Sequence, residues 1–370
     1  MILNKYRYHQ PNNRYLSDLR DQGLPVSPGT LCGGLQKFTP LFEPIQETLY
    51  CQQMNEALFH NDETRWEVFA EQEGKIGIRW YLWVTRSASV IYYCIDPSRS
   101  AAVPGAHFAG LQQDRVIIVC DRYSAYKKLA RLSDIILLAF CWAHVRRDFL
   151  DAAKSFQSLA SWALDWKQQI GQVYHDNQHR LQQWDADLPI SGQSAEFHRH
   201  HQTLEAQLQI MQVQAHQEVS RIELDNISAG RKKTSLLGTT DSGEKQRIKI
   251  YRSLLTHWQG LTLFMQNPQV PLDNNIAENS IRGPVTGRSS YYGSGSIWSA
   301  ELAAMLFSIL QTLVLWGINP RHWLRCYLNA CADNGGKAPD HHQSFIPWQM
   351  DASRREEMSR PSPFSRSGLP

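Results

Sequence analysis

The sequence predicts an α/β chain: a mixed sheet flanked by helices, interrupted by an all-helical insertion and preceded by a helical N-terminal segment. Three observations lead there. Apolar and polar residues alternate from Ala57 to Phe69, the period of a half-buried strand, and two further strand-like segments follow closely, at 77–86 and 89–96. Two short, continuously apolar runs follow, at 115–121 and 134–141, of the kind that fills a strand covered on both faces. Beyond Cys141 the period turns helical and stays helical to residue 265.

A chain of 370 residues, 42% hydrophobic and 20% charged, is globular material for about two or three domains. A net charge of +3 permits a nucleic-acid partner without demanding one, so the placement of the bases matters more than their number. The seven cysteines are odd in number and scattered, which points to a reduced, cytosolic compartment rather than a disulfide framework. The opening M-I-L-N-K-Y-R-Y-H-Q lacks the apolar core of a signal peptide, and no run of about 18 apolar residues predicts a membrane span.

Residues 1–56 read as helical, with Lys5, Arg7, Arg14 and Arg20 making the start basic. Gly23 to Thr30 resembles a helix-turn-helix joint, with Ser27 as N-cap and Pro28 at the first helical position. DNA contact and a plain helical hairpin both fit that joint. Three strands follow, beginning at Ala57, at Gly77 and at Ser89, with a turn at 71–75 between the first two. Such short connections make an antiparallel meander. A connection with a helix (97–111), a buried strand (115–121), a helix (123–132) and a second buried strand (134–141) complete the order β-β-β-α-β-α-β. That order is ribonuclease-H-like. The chain thus divides into a helical segment (1–56), the first part of the sheet domain (57–156), a helical insertion (157–265), the second part of the sheet domain (266–334) and a loose tail (335–370).

Within the insertion, Arg231 to Arg252 holds seven bases, Lys232, Lys233 and Lys249 among them, against two acids. After it comes V-P-L-D-N-N-I-A-E-N-S-I-R-G-P-V-T-G-R-S-S-Y-Y-G-S, Val270 to Ser294, a polar span followed at once by an apolar helix from Ala300 to Trp316. A polar span held against a core usually has a task, and here three acids mark it. Asp62 lies in the first strand, Asp121 ends the fourth, and Glu278 opens a helix after the insertion. If the first and fourth strands are neighbours, their carboxylates share a crevice. Carboxylates gathered in one pocket repel unless a cation lies between them. Hard oxygen ligands suit Mg²⁺ or Mn²⁺, and paired ions of this kind activate a nucleophile and stabilise a leaving oxygen in phosphoryl transfer. Taken singly, each acid is as readily a turn or cap residue. Glu63 points to the opposite face from Asp62, and Asp273 is either a cap for the Glu278 helix or a competing third ligand. Arg282 and Arg288 suit bidentate phosphate contacts. Tyr291, Tyr292 and the following G-S-G fit either a close backbone approach to DNA or a flexible loop. Cys141 and His144, in C-W-A-H, provide only two of the roughly four ligands a zinc ion needs, so a structural role is expected. The tract H-R-H-H, His198 to His201, reads first as a solvated helix face and second as a metal tract.

The phrases H-N-D-E-T-R-W, C-D-R-Y-S-A-Y, C-W-A-H-V-R-R-D-F and L-D-N-N-I-A-E-N-S-I-R, in that order, resemble the transposases of the insertion sequence 66 family, as do G-R-S-S-Y-Y-G-S and G-I-N-P-R-H-W-L. The resemblance runs from about Lys5 to about Asn334 and begins inside the family pattern. It therefore implies a chain without the family's N-terminal coiled coil and cysteine-rich zinc module. It further implies a DDE transposase, with a ribonuclease-H-like domain split by a helical insertion and the catalytic, metal-binding triad Asp62, Asp121 and Glu278. The cofactor would be Mg²⁺ or Mn²⁺. The substrates would be terminal inverted repeats and target DNA, handled by a homo-oligomer with small accessory proteins of the element, in the bacterial cytoplasm at the nucleoid. Trp162, Trp166 or Trp184 would stack near the transposon end, and Cys141 and His144 would form a structural motif. Two alternatives stay open: a truncated, inactive transposase that only binds DNA or poisons an oligomer, and another ribonuclease-H-like endonuclease.

Overall fold

A computed structural model describes residues 1–71, 77–228 and 242–361. Helices α1 (Ile2–Tyr6), α2 (Asn12–Asp21), α3 (Pro28–Lys37) and α4 (Thr39–Met54) come first, then strands β1 (Leu58–Val68), β2 (Arg79–Arg86) and β3 (Ile91–Asp96). Next are α5 (Ala102–His107), β4 (Val116–Cys120), α6 (Ser124–Arg131) and β5 (Ile136–Phe140). The helical stretch consists of α7 (Trp142–Ser155), α8 (Ala160–Gln182), α9 (Ala195–Ser228), α10 (Ser242–Thr256) and α11 (Trp258–Leu261). The chain ends with α12 (Asn275–Tyr291), β6 (Gly293–Ser294), α13 (Ile297–Leu315), α14 (Pro320–Asp333) and α15 (Ala352–Ser359). The fold is α/β, and its six strands belong to one mixed sheet flanked by helices. Two compact units emerge. The first holds residues 1–116, 124–136 and 275–370; the second holds 117–123 and 137–274.

In the first unit the expected meander forms. β1 and β2 run antiparallel from His60 opposite Arg86 to Glu67 opposite Arg79, and β3 continues the ladder on β2. Helix α13 covers β3, whose outward backbone groups would otherwise be bare. Ser308 and Thr312 accept from the amides of Tyr93 and Ile91 through their hydroxyl oxygens, at 2.8 and 3.0 Å. A Ser296–Ser299 capping box starts α13, and Gly317, at φ +69°, stops it where a left-handed residue is needed. This helix has the length and apolarity of a membrane span, unlike the expectation from the bare sequence. It is nevertheless the core helix of its unit: Leu302, Leu306 and Phe307 are fully enclosed.

Ser27 caps α3 as expected, its hydroxyl accepting from the Thr30 amide at 3.0 Å. At the end of β2, both oxygens of Glu56 accept from the turn at Ser87, Ala88 and Ser89, holding it to the N-terminal helices. Of the expected tail, 335–370, residues 362–370 lie outside the described residues and the rest is folded. Residues 335–361 fold back, and Phe345, Ile346, Met350 and Met358 are buried with Trp323 and Tyr327. Polar composition hid this because a few apolar residues, spaced irregularly, carry the contact. Residues 72–76, which include most of the expected turn, lie outside the described residues.

In the second unit β4 is buried along its whole length, as its apolar run predicts, whereas β5 is half-open at Leu137 and Leu138 because it ends the strand order. Phe149 and Trp166 stack at 4.9 Å, and Trp162 and Trp166 both donate to the Tyr251 hydroxyl. Trp166 is therefore core, enclosed by its own unit, while Trp184 is half-buried. Arg180 is fully buried and donates to the carbonyls of Phe264 and Met265, between the rings of Phe197 and Phe264. The helical stretch is not continuous: residues 183–194 form a loop with one short 3₁₀ turn.

Candidate catalytic carboxylates and the C-x-x-H motif

Asp62 sits on β1 opposite Val84 and is half-buried; one oxygen accepts from the Glu63 amide at 2.9 Å. Strand alternation sends its neighbour the other way. There Glu63 pairs with Arg99 at 2.7 Å and accepts from the Tyr126 hydroxyl at 2.8 Å. Two adjacent acids thus face opposite sides of the strand, and Glu63 has a guanidinium partner in Arg99.

Glu278 lies in the first turn of α12, where the helix dipole favours a negative charge. The helix is pinned to the same meander that carries Asp62. Tyr93 donates to the Ser280 carbonyl at 2.7 Å, and the Arg86 guanidinium reaches the Ser280 hydroxyl at 3.4 Å. One face further along, Arg288 donates to the Thr64 hydroxyl at 3.1 Å and to the Arg65 carbonyl. Glu278 is half-buried and forms no salt bridge among the described residues. Arg282, on the same helix, is exposed. The helix expected at Glu278 forms and continues through Gly283 and Pro284 to Tyr291. The G-S-G end is not a loose loop: Gly293 and Ser294 pair in parallel with Glu67 and Val68. Asp273 does not directly precede the helix; Asn274 does.

Asp121 belongs to the second unit and follows β4 directly. It makes a turn, one oxygen accepting from the Tyr123 amide at 2.8 Å. Arg122 beside it pairs with Asp148 at 2.6 Å and donates to the Ser253 hydroxyl.

Cys141 is buried at the N-cap of α7, with its sulfur and a ring nitrogen of His144 within 4.8 Å of each other. Its sulfur accepts from the Asn274 amide at 3.3 Å, and the Trp142 amide donates to the Leu272 carbonyl at 2.8 Å. The motif therefore fastens the segment 272–274 to the start of α7. No sequence signal connected positions this far apart. None of the seven cysteines forms a disulfide.

Of the expected DNA-contacting bases, Lys249 is exposed on α10, and Lys232 and Lys233 lie outside the described residues. Arg247, in the same basic run, is committed inward, paired with Glu218 at 2.9 Å and held over the Trp162 ring.

Residues 1–302 match the family described as Transposase IS66 family. Curated relatives come from Sinorhizobium fredii (strain NBRC 101917 / NGR234). "Uncharacterized protein y4jD" is 24% identical over 96% of this chain and 65% of its own length. "Uncharacterized protein y4hP" is 24% identical over 94% of this chain and 61% of its own. "Uncharacterized protein y4qI" is 25% identical over 78% and 50%. The chain thus spans between half and two thirds of the length of these relatives. With a match that extends over most of its residues, the chain belongs to the IS66 family of transposases.

Proposed function

We propose that this chain is a DDE transposase that cleaves DNA at the ends of an insertion sequence and joins them to target DNA, on a ribonuclease-H-like catalytic fold. The observation that carries the reading is the family match, which spans Asp62, Asp121 and Glu278 together. The three are the catalytic, metal-binding residues of the proposal. Their donor chemistry fits the role: three half-buried carboxylates offer hard oxygens of the type Mg²⁺ and Mn²⁺ take. When bound, the metal supplies Lewis-acid stabilisation of the attacking and leaving oxygens in phosphoryl transfer.

The remaining work falls to the chain's own groups. Asp62 and Glu278 are held on elements pinned to each other through Tyr93, Arg86 and Arg288, so their positions do not depend on loop order. The Asp121 turn orients one oxygen through the Tyr123 amide, and the other oxygen is the metal donor of the proposal. Arg282, Arg288, Lys249, Lys232 and Lys233 contact DNA phosphates. The chain acts as a homo-oligomer on terminal repeats and target DNA in the bacterial cytoplasm, with small accessory proteins of the element as further partners.

The test is Mg²⁺-dependent cleavage and joining of duplexes carrying the element's ends. Asp62→Asn, Asp121→Asn and Glu278→Gln should each fall to background while DNA binding persists. Joining at the unmodified rate by any of them removes that residue from the triad. A chain that binds DNA yet neither cuts nor joins under any metal would replace this reading with that of a binding-only transposase.

A further inference from the structure

Away from the carboxylates, helices α8 and α9 gather histidines. His175 and His179 stand one turn apart on α8, with their Nε2 atoms 3.2 Å apart and their rings steeply inclined. Two nitrogens bound to one tetrahedral zinc at about 2.0–2.1 Å each are separated by about 3.3 Å. The pair already has that separation, as a ring-to-ring hydrogen bond that the ion would replace. From α9, His200 lays its ring nearly parallel to that of His179, 5.8 Å between centroids, and Glu196 places a carboxylate oxygen 3.8 Å from His200 Nε2.

Access is open. His175 is exposed and lines a cleft of about 660 Å³ with Tyr174, Asn177, Gln178 and Asp273. The opposing charge is Arg199, which lies 2.5 Å from the Glu196 carboxylate and 3.3 Å from His200 Nε2. Its side chain is two-thirds exposed and free to swing into solvent.

We propose that His175, His179 and His200, with Glu196 as fourth donor, bind Zn²⁺ or another divalent transition ion that favours imidazole. His200 and Glu196 complete the set by side-chain rotation as Arg199 turns outward. The bound ion ties α8 to α9 across the helical unit. Imidazole donors separate this site from the all-oxygen chemistry proposed for the acidic triad, so the two would select different metals.

Zinc titration of the full chain, by equilibrium dialysis and by thermal unfolding, tests the site. Comparison is with His175→Ala/His179→Ala and with His198→Ala, a control on the same helix as His200. The unmodified chain and the control should bind Zn²⁺ and gain thermal stability from it. The double variant should bind at least about tenfold more weakly and gain nothing. Should the double variant misfold, His175→Gln alone, at an exposed position, should show the same weakening. Equal zinc affinity in the unmodified chain and in the His175 and His179 variants overturns the proposal, as does the absence of zinc binding by the unmodified chain.

Discussion

Glu63 and Arg99 form a 2.7 Å ion pair in which the Glu63 side chain is 2% exposed and that of Arg99 44%. The pair distinguishes two neighbouring acids. Glu63→Gln leaves Arg99 and the Tyr126 hydroxyl with a weaker acceptor and should lower unfolding stability by about 1–3 kcal/mol. Asp62→Asn should cost less stability and abolish strand joining. Urea unfolding beside a joining assay separates the two, and the reverse pattern would make Glu63 the functional acid.

Gly293 lies where β6 meets β1. A Cβ there would come within 2.0 Å of the Glu67 carbonyl oxygen, in a backbone conformation with φ near +154°. Gly293→Ala should destabilise the chain by about 3 kcal/mol or more, by breaking the bridge that follows the Glu278 helix. Gly295→Ala, with open space around it, is the control and should remain within about 1 kcal/mol of the unmodified chain. Equal stabilities would show that the bridge is dispensable.

The two arginines on α12 should behave differently. Arg282 is exposed, so Arg282→Ala should weaken DNA binding evenly across sequences, lower the salt dependence by about one phosphate contact and leave stability intact. Arg288→Ala removes the bonds to Thr64 and Arg65 and should also loosen the helix, lowering the unfolding midpoint. Salt-dependent binding isotherms and thermal melts of both variants check this.

Burial holds the imidazole of His107 down to about 4, against an ordinary 6.5, while its Nε2 meets the Gln53 amide oxygen at 3.0 Å. Above pH 6.5 both folded and unfolded chains keep it neutral. As pH falls from 6.5 towards 4, the unfolded chain binds a proton that the folded chain refuses, and stability drops. The residue keeps a partly open edge, so the loss should be at most about 3 kcal/mol. His107→Gln, which retains a partner for Gln53, should flatten that part of the stability–pH curve; an unchanged slope assigns the drop to other groups.

The sequence by itself determined the local elements. Two-residue alternation marked β1, short strand-like segments with close connections marked β2 and β3, an apolar run marked the fully buried β4, and Ser27 followed by Pro28 marked the start of α3. These follow from forces within a few residues: pleat, periodicity and capping. It also put Asp62 and Glu63 on opposite faces, and the family resemblance, made on short ordered phrases, named the three acids. What only the tertiary structure decided depends on residues far apart in the chain. Arg99 and Tyr126 occupy Glu63, and Ser308 and Thr312 satisfy the open edge of β3. Pairing with Glu67 and Val68 turns Gly293 and Ser294 from a supposed loop into a strand. Burial against Trp323 and Tyr327 makes folded structure of residues that composition alone marks as tail. In each case a backbone or charged group needs a partner to leave water, and sequence spacing does not say which distant partner the fold will bring.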